Sequence, residues 1–300
     1  MPKIAYKEHR FKSDALAIIK NANKIIEEYA AAGYDLTLRQ LYYQFVARDL
    51  IKNKQSEYKR LGSIINDARL AGLIDWNRIE DRTRGLESLS TWTSPHSILK
   101  TCASQFKISF WENQKYWPEV WIEKEALAGV FKRICQELRV PYLSCRGYTS
   151  QSEMWRAAMR LGEQENDGKI PVILHFGDHD PSGVDMSRDI ETRLKMFMNS
   201  GTELQFKRLA LNMDQVEEHQ PPPNPCKMTD IRAEKYVEEY GDESWELDAL
   251  NPDILSGLVR ESVEDLINQT RWDESVEEEN EHKRLLGVVA KDWDNITKKL

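Results

Sequence analysis

Short apolar runs alternate with helical stretches in the central part of the sequence. Three runs, VWI at 120–122, VPYLS at 140–144 and PVILHF at 171–176, precede stretches of helical periodicity at 126–138, 151–163 and 183–198. This order is typical of βαβ units, in which each strand is followed by a helix that crosses back over the sheet. A further strand is predicted at 204–211 and a helix at 252–269. The sequence therefore predicts an α/β domain with a mainly parallel sheet.

The region before this domain has helical patterning instead. Residues 12–32 form an amphipathic pattern that ends at Gly33, and a second helix follows Thr37, which forms a T-x-x-Q capping box with Gln40. A third helical pattern occupies 56–74 and leads into the basic stretch IDWNRIEDRTR. Three short helices followed by an extended basic segment predict a helix-turn-helix with a wing, a fold that binds DNA.

Charge is distributed unevenly along the chain. The net charge of −8 excludes a uniformly basic nucleic-acid binder, but residues 1–110 carry +6 and residues 111–300 carry −14. The basic part can contact phosphates. Three arginines of the predicted wing are the candidate DNA contacts: Arg78, Arg82 and Arg84.

Cysteine spacing and hydropathy narrow the class of protein. The four cysteines form no CxxC pair, so we expect reduced thiols rather than disulfides or a structural zinc site. The apolar runs are far shorter than the roughly 18 residues that a bilayer requires, and the first residues lack the apolar core of a signal peptide. We therefore expect a soluble, cytoplasmic protein without membrane contact.

Acidic residues follow two of the predicted strands. Glu123 comes directly after the first run, and Asp178 and Asp180 follow the third within HFGDHDPSG. Because ligands of parallel sheets bind beyond the carboxyl ends of the strands, these oxygens predict a Mg²⁺ site. The alternative for any one acid is a helix cap or an ion pair. The spacing of the nearby His175 and His179 would place them on one face of a helix, but this stretch is predicted as strand and then loop, so a zinc site there is disfavoured.

The second helix carries a tyrosine beside an arginine. Its apolar stripe places Tyr42 in the core and turns Tyr43 about 100° away, so Tyr43 is expected to be exposed. Arg39 lies four residues earlier and shares the face of Tyr43. Together they have the parts of a phosphoryl-transfer site, a hydroxyl nucleophile and a guanidinium for a phosphate oxygen. The alternative is an ordinary packing or cation–π contact.

The ordered motifs TLRQLYY, VWIEKEA, CRGY and GDHDPSG resemble the family of topoisomerase VI A subunits and meiotic double-strand-break transesterases, over about residues 35–255. The resemblance implies a winged-helix domain, placed at 1–110, and a Toprim domain, placed at 115–260. The acid-rich residues 261–300 are predicted to form a helical tail. It also implies that Tyr43 is the nucleophile, assisted by Arg39. The implied Mg²⁺ ligands are Glu123, Asp178 and Asp180.

The activity implied by the resemblance is Mg²⁺-dependent cleavage of double-stranded DNA, leaving a phosphotyrosyl link and a free 3′-hydroxyl. Members of this family are two-fold dimers in which the tyrosine of one chain meets the Toprim site of the other, so a homodimer is expected. The sequence has no GxxxxGK[ST] motif, so ATP-driven strand passage would require a separate ATPase subunit.

Two other functions remain open from the sequence. One is a Toprim nuclease that hydrolyses DNA with metal-activated water and does not need Tyr43. The other is a DNA-binding protein without catalytic activity.

Overall fold

The computed structural model describes residues 3–79, 89–198 and 203–298 and has a mixed α/β architecture. The helices are α1 (Ser13–Ala31), α2 (Leu38–Ala47), α3 (Gln55–Leu70), α4 (Pro95–Gln105), α5 (Ala128–Glu137), α6 (Gln151–Asn166), α7 (Pro181–Met198), α8 (Met213–His219), α9 (Ala233–Tyr240), α10 (Pro252–Glu264), α11 (Gln269–Lys291) and α12 (Trp293–Thr297). The strands are β1 (Tyr116–Ile122), β2 (Tyr142–Ser144), β3 (Ile170–Phe176), β4 (Gln205–Ala210), β5 (Asn224–Pro225) and β6 (Glu243–Ser244).

The strands β1 to β4 form one parallel sheet in the order β2-β1-β3-β4. Side chains alternate between its two faces, so Val120 packs with α5 and α10 while Trp121 packs with α6 and α7. The predicted α/β class with a parallel sheet is confirmed. The strand β1 begins four residues before the apolar run, at Tyr116, where its pairing with β3 starts. Glu119, in the middle of β1, is buried and accepts two hydrogen bonds from the guanidinium of Arg160, at 2.8 and 2.9 Å.

The N-terminal helices α1, α2 and α3 pack around a core of their own that includes Leu36, Leu41 and Phe45. The predicted capping box is present: the N–H of Gln40 donates to Oγ1 of Thr37 at 3.2 Å, and the N–H of Thr37 donates to Oε1 of Gln40 at 2.9 Å. Leu36 forms a β-bridge with Ile79, in the middle of the segment predicted as the wing. Residues 80–88, with Arg82 and Arg84, lie outside the described residues.

The segment predicted as an acidic tail is helical and packs on the rest of the molecule. Its helix α11 lies against α4, a helix from before the sheet. Glu279 on α11 is buried, accepts the N–H of Ile108 at 3.0 Å and lies 2.8 Å from Nη2 of Arg139. The contacts of α11 therefore integrate this segment, as far as the structure describes it, into the fold. No helix within the described ranges is both long and apolar enough to cross a membrane.

Candidate functional site

The carboxyl ends of β1 and β3 bring Glu123 and Asp178 together, as the sequence predicts. Ile122 is paired with Phe176, so the two strands end at the same level. Oε2 of Glu123 accepts the backbone N–H of Asp178 at 2.9 Å, and both side chains are almost completely buried. Asp180 is half-buried at the start of α7, where its Oδ1 accepts the N–H of Gly183 at 2.6 Å as a helix cap.

A distant segment is attached to the same strand end through the backbone. His179 and Trp245 exchange two N–H···O hydrogen bonds of 2.9 and 2.8 Å, which form an antiparallel bridge. The N–H of Leu247 then donates to Oδ1 of Asp178 at 2.8 Å. This attachment brings two further acids, Glu246 and Asp248, to the predicted metal site.

Five charged residues form an ionic cluster at this place: Arg39, Lys124, Asp178, Glu246 and Asp248. Nζ of Lys124 lies 2.7 Å from Oδ2 of Asp178 and also contacts Glu246 and Asp248. Arg39 lies 2.8 Å from Glu246 and 2.9 Å from Asp248, the latter as an ion pair rather than a directed hydrogen bond. The cluster connects α2 to the end of the sheet.

Charges of opposite sign compensate one another in this cluster. Although burial opposes its charged form, the carboxylates of Asp248, Asp178 and Glu246 raise the pKa of Lys124 above its ordinary value. Burial likewise opposes the charged form of Glu246, but the positive charges of Lys124 and Arg39 outweigh burial and lower the pKa of this carboxyl. Lys124 is therefore a partly buried cation of the site, with 17% of its side chain exposed, and is not the solvated side chain that a lysine after a strand usually is.

Tyr43 is buried, which contradicts the prediction of an exposed tyrosine. Only 5% of it is accessible, because the side of α2 that faces away from the N-terminal core packs against residues 247–249. Its ring lies 5.8 Å from Cζ of Arg39, so the predicted shared face is confirmed. Burial, with Glu246 and Asp248, raises the pKa of Tyr43 to about 12, while Arg39 and Lys124 oppose the rise.

Tyr43, Arg39 and Asp180 line one cavity of about 440 Å³ between the N-terminal helices and the sheet domain. The other lining residues are Tyr42, Asn53, Lys54, Gln55, Tyr58, Asn224, Pro225, Lys227, Ser244, Trp245 and Glu246. Glu123 and Asp178 do not line this cavity. The structure therefore brings the predicted nucleophile together with one of the three predicted metal ligands, at the edge of the site that holds the other two.

The predicted metal ligands fit Mg²⁺ in their chemistry. All three offer carboxylate oxygens. Burial raises the pKa of Glu123 and raises that of Asp178 further, although Lys124 acts against both shifts, so the positive charge present does not fully compensate the burial of these two carboxyls. Oε1 of Glu123 and Oδ2 of Asp180 accept no hydrogen bond from any described residue, whereas Asp178 is already paired with Lys124. Within the described ranges no three His, Cys, Asp or Glu side chains are grouped with metal-binding geometry.

Arg208 holds the loop that carries these acids. Its half-buried guanidinium donates to the carbonyl oxygen of Asp178 at 2.6 Å and to that of Gly177 at 3.2 Å. A side chain at Gly177 would place its Cβ 3.0 Å from Oε2 of Glu123, so glycine permits the close approach of this loop to β1. The backbone of the loop is thus fixed independently of the ionic cluster.

The two histidines beside Asp178 have partners in the core. Nδ1 of His175 lies 3.0 Å from Oγ of Ser187, and Nδ1 of His179 lies 2.7 Å from the hydroxyl of Tyr236. Burial, reinforced by Arg208, lowers the pKa of His175 to about 3 and that of His179 to about 4. Both are neutral structural groups at physiological pH.

Of the predicted DNA contacts, the structure describes Arg78. Its Nη1 lies 3.1 Å from Oδ1 of Asp35, and its side chain is half-buried. The pairing reduces the positive charge that Arg78 offers to a phosphate.

Sequence reasoning missed Glu246 and Asp248 as members of the site and did not recognise Lys124 as one. Glu246 and Asp248 alternate with apolar residues in WELDAL, a pattern that places neighbouring side chains in different environments but does not identify their partner. Comparison with known proteins adds no relative: no protein-family model and no curated protein matches the chain.

Proposed function

We propose that this protein cuts double-stranded DNA by transesterification, with Tyr43 as the nucleophile. The observation that carries the proposal is the convergence of Tyr43 and Arg39 with Asp180 in one cavity, beside the buried acids at the ends of β1 and β3. These residues come from three separate parts of the sequence, and their types are those that phosphoryl transfer requires.

The hydroxyl oxygen of Tyr43 would attack a backbone phosphorus. The new bond joins this oxygen to phosphorus, the bond from phosphorus to the 3′-oxygen breaks, and the strand end leaves as a 3′-hydroxyl after taking up a proton. Because the raised pKa keeps Tyr43 protonated at neutral pH, its proton must leave during attack. Arg39, which is partly exposed at the cavity, would bind a phosphate oxygen.

Mg²⁺ belongs to this proposal, with Glu123, Asp178 and Asp180 as the residues that would hold it. A bound magnesium ion supplies charge stabilisation to the phosphate and the leaving oxygen. Asp178 would have to share its carboxylate with Lys124, which lies 2.7 Å away. Cleavage of both strands needs two nucleophiles, so we also propose a homodimer.

One feature favours a second function, hydrolysis without a covalent intermediate. Tyr43 is buried and its pKa is raised to about 12, both of which disfavour a phenolate nucleophile, whereas the acids need no tyrosine to activate water. In this case Tyr43 would be a packing residue and Arg39 a partner of Glu246 and Asp248. A protein that binds DNA and leaves it intact is the third possibility.

Supercoiled DNA incubated with the protein and Mg²⁺, then run on a denaturing gel with and without proteinase, distinguishes the three functions. Transesterification leaves protein on the cut ends, so the cut strands enter the gel normally only after proteinase. Hydrolysis gives cut DNA that proteinase does not shift, and simple binding gives uncut DNA. Cut DNA that never carries protein would overturn the proposal.

A further inference from the structure

The cavity beside Tyr43 has two lysines that the proposed chemistry does not use. Lys54 precedes α3, and Lys227 lies in the loop after β5. Both are exposed, and neither forms an ion pair with any residue in the described parts of the chain. They come from opposite halves of the molecule, so the cavity has a cation on each of its two walls.

The lining of the cavity carries three cations, Arg39, Lys54 and Lys227, against two carboxylates, Glu246 and Asp180. Glu246 contacts Arg39 and Lys124 and also interacts electrostatically with Lys227, while Asp180 directs one oxygen to the cap of α7. The first turn of α3 also lies at the cavity, through Gln55, and the N-terminal end of a helix favours negative charge. The solvent-facing part of the cavity therefore suits an anion.

An aromatic ring is present among these polar groups. Tyr58 is half-buried, lines the cavity and lies 5.3 Å from the ring of Tyr42 in an edge-to-face arrangement. Cations that follow a sugar–phosphate backbone, next to aromatic rings, are characteristic of sites that hold a nucleic-acid strand. A cavity of about 440 Å³ is of small-ligand size and holds one nucleotide unit of a strand rather than a duplex.

The two walls of this cavity are fixed to each other by Asn53. Its Nδ2 donates to the carbonyl oxygen of Pro223 at 3.0 Å and to Oδ1 of Asn224 at 2.8 Å, while its Oδ1 accepts the hydroxyl of Tyr42 at 3.0 Å. The distance between the lysine-bearing segments is thus set by hydrogen bonds that do not involve the lysines themselves. A preformed spacing of this kind suits a repeating polymer such as a phosphodiester backbone.

We propose that this cavity is the subsite that holds the DNA strand at the position of cleavage, with Lys54 and Lys227 contacting phosphates on the two sides of the nucleotide. The nature of the ligand rests on the proposed function. The assignment places the principal strand contact here rather than at Arg78, which is paired with Asp35.

The test is DNA binding measured without cleavage. A Tyr43→Phe protein in buffer with a metal chelator is titrated with a short fluorescent duplex, by anisotropy, at salt concentrations from about 50 to about 200 mM. Lys54→Ala and Lys227→Ala are introduced singly and together in this background. Lys52→Ala and Lys235→Ala are the matched controls, since both lysines are exposed and lie outside the cavity.

Each cavity lysine should contribute one phosphate contact. The slope of log affinity against log salt should become shallower by about 0.9 for each cavity variant and by about twice that for the double variant, with weaker binding at low salt. The control variants should keep the slope of the parent protein. Equal slopes in all variants, equal losses in the controls, or a parent protein that does not bind DNA would overturn the assignment.

A blocked cavity gives a second readout that leaves both lysines in place. Gln55 is exposed and lines the cavity, so Gln55→Trp should fill its entrance and weaken DNA binding, whereas Ser56→Trp, one position along α3 and outside the cavity, should not. Equal thermal unfolding midpoints show that both variants are folded. Unchanged binding by Gln55→Trp would contradict the subsite.

The subsite and the cleavage mechanism can fail separately. If the salt slopes are as expected but wild-type protein forms no covalent adduct, the cleavage mechanism is contradicted and the subsite is supported.

Discussion

Nη2 of Arg39 lies 2.8 Å from Oε2 of Glu246, a residue 207 positions further along the chain. This ion pair attaches the helix that carries Tyr43 to the segment that lies on Asp178. It brings the proposed nucleophile to the acids of its own chain, so the large separation between these motifs does not require a second chain to bring them together.

The ion pair should be energetically coupled. In a double-mutant cycle, Arg39→Met and Glu246→Gln should show an interaction free energy of about 1 to 2 kcal/mol in urea unfolding, because the pair is partly shielded from water and shares Lys124 as a neighbour. The control is the pair Arg48 and Glu28, at 2.7 Å, whose carboxylate is more exposed than that of Glu246 and for which about 0.5 kcal/mol or less is expected. Equal coupling in the two cycles would show that shielding adds nothing at Arg39.

Tyr43→Phe should abolish the covalent protein–DNA adduct, because the hydroxyl oxygen is the atom that attacks. Tyr42→Phe is the matched control. It loses the hydrogen bond to Oδ1 of Asn53, which should cost about 1 kcal/mol of stability, but it should still form the adduct. Adduct is measured on a denaturing gel with labelled DNA. Adduct formed by Tyr43→Phe would exclude this residue as the nucleophile.

Glu123→Gln should lower DNA cleavage by orders of magnitude at low Mg²⁺, since it replaces a charged oxygen ligand by an amide. Glu125→Gln is the control, because Glu125 lies two positions along and pairs with Arg146 outside the site. Cleavage is followed over a Mg²⁺ titration. If the two variants require the same Mg²⁺ concentration as wild type, Glu123 is a structural acid that only holds the N–H of Asp178.

Subunit mixing should distinguish sites within one chain from sites shared between chains. Tyr43→Phe mixed with Glu123→Gln should remain inactive if each site is built within one chain, which is the arrangement that the contact of Arg39 with Glu246 favours. Restored nicking, without double-strand breaks, would show instead that the tyrosine acts in the partner's site. Exchange of subunits is verified with a size tag on one variant.

Stability should fall as pH falls from about 6.5 towards 4. The pKa of His175 is lowered to about 3 and that of His179 to about 4 in the folded state, so the unfolded chain binds protons first and the stability present above pH 6.5 is lost on acidification. Each histidine should contribute up to about 1.4 kcal/mol per pH unit.

Urea unfolding at several pH values measures this slope. His179→Asn should make it shallower, whereas His96→Asn, at an exposed position on α4, should not. An identical slope in wild type and His179→Asn would show that carboxylates alone account for the acid sensitivity.

The sheet and its acids could be predicted because the signals are local. The run PVILHF matches β3 nearly residue for residue, and parallel strands that end at one level place Glu123 beside Asp178. The capping box at Thr37 was likewise readable, since its two hydrogen bonds join residues three positions apart.

The burial of Tyr43 could not be predicted from the helix pattern. Periodicity showed that Tyr42 faces the core of its own domain, but it contains no information about a second surface packed on the other side of α2. That surface comes from residues 247–249, and it reaches the site through the backbone bridge between His179 and Trp245. Backbone pairing of this kind is independent of side-chain type. The sequence therefore did not indicate that Glu246 and Asp248 join the site, or that Lys124 is partly buried beside them.

The packing of α11 on α4 determines when the molecule can be completed during synthesis. Glu279 accepts the N–H of Ile108 across 171 positions, and a ribosome adding roughly 5 to 20 residues per second needs about 10 to 30 seconds to cover that interval. During this interval α4 has been synthesised but the helix that covers it has not. The N-terminal helices can assemble early around their own core, but α4 and the segment after it reach their final packing only after α11 has been translated.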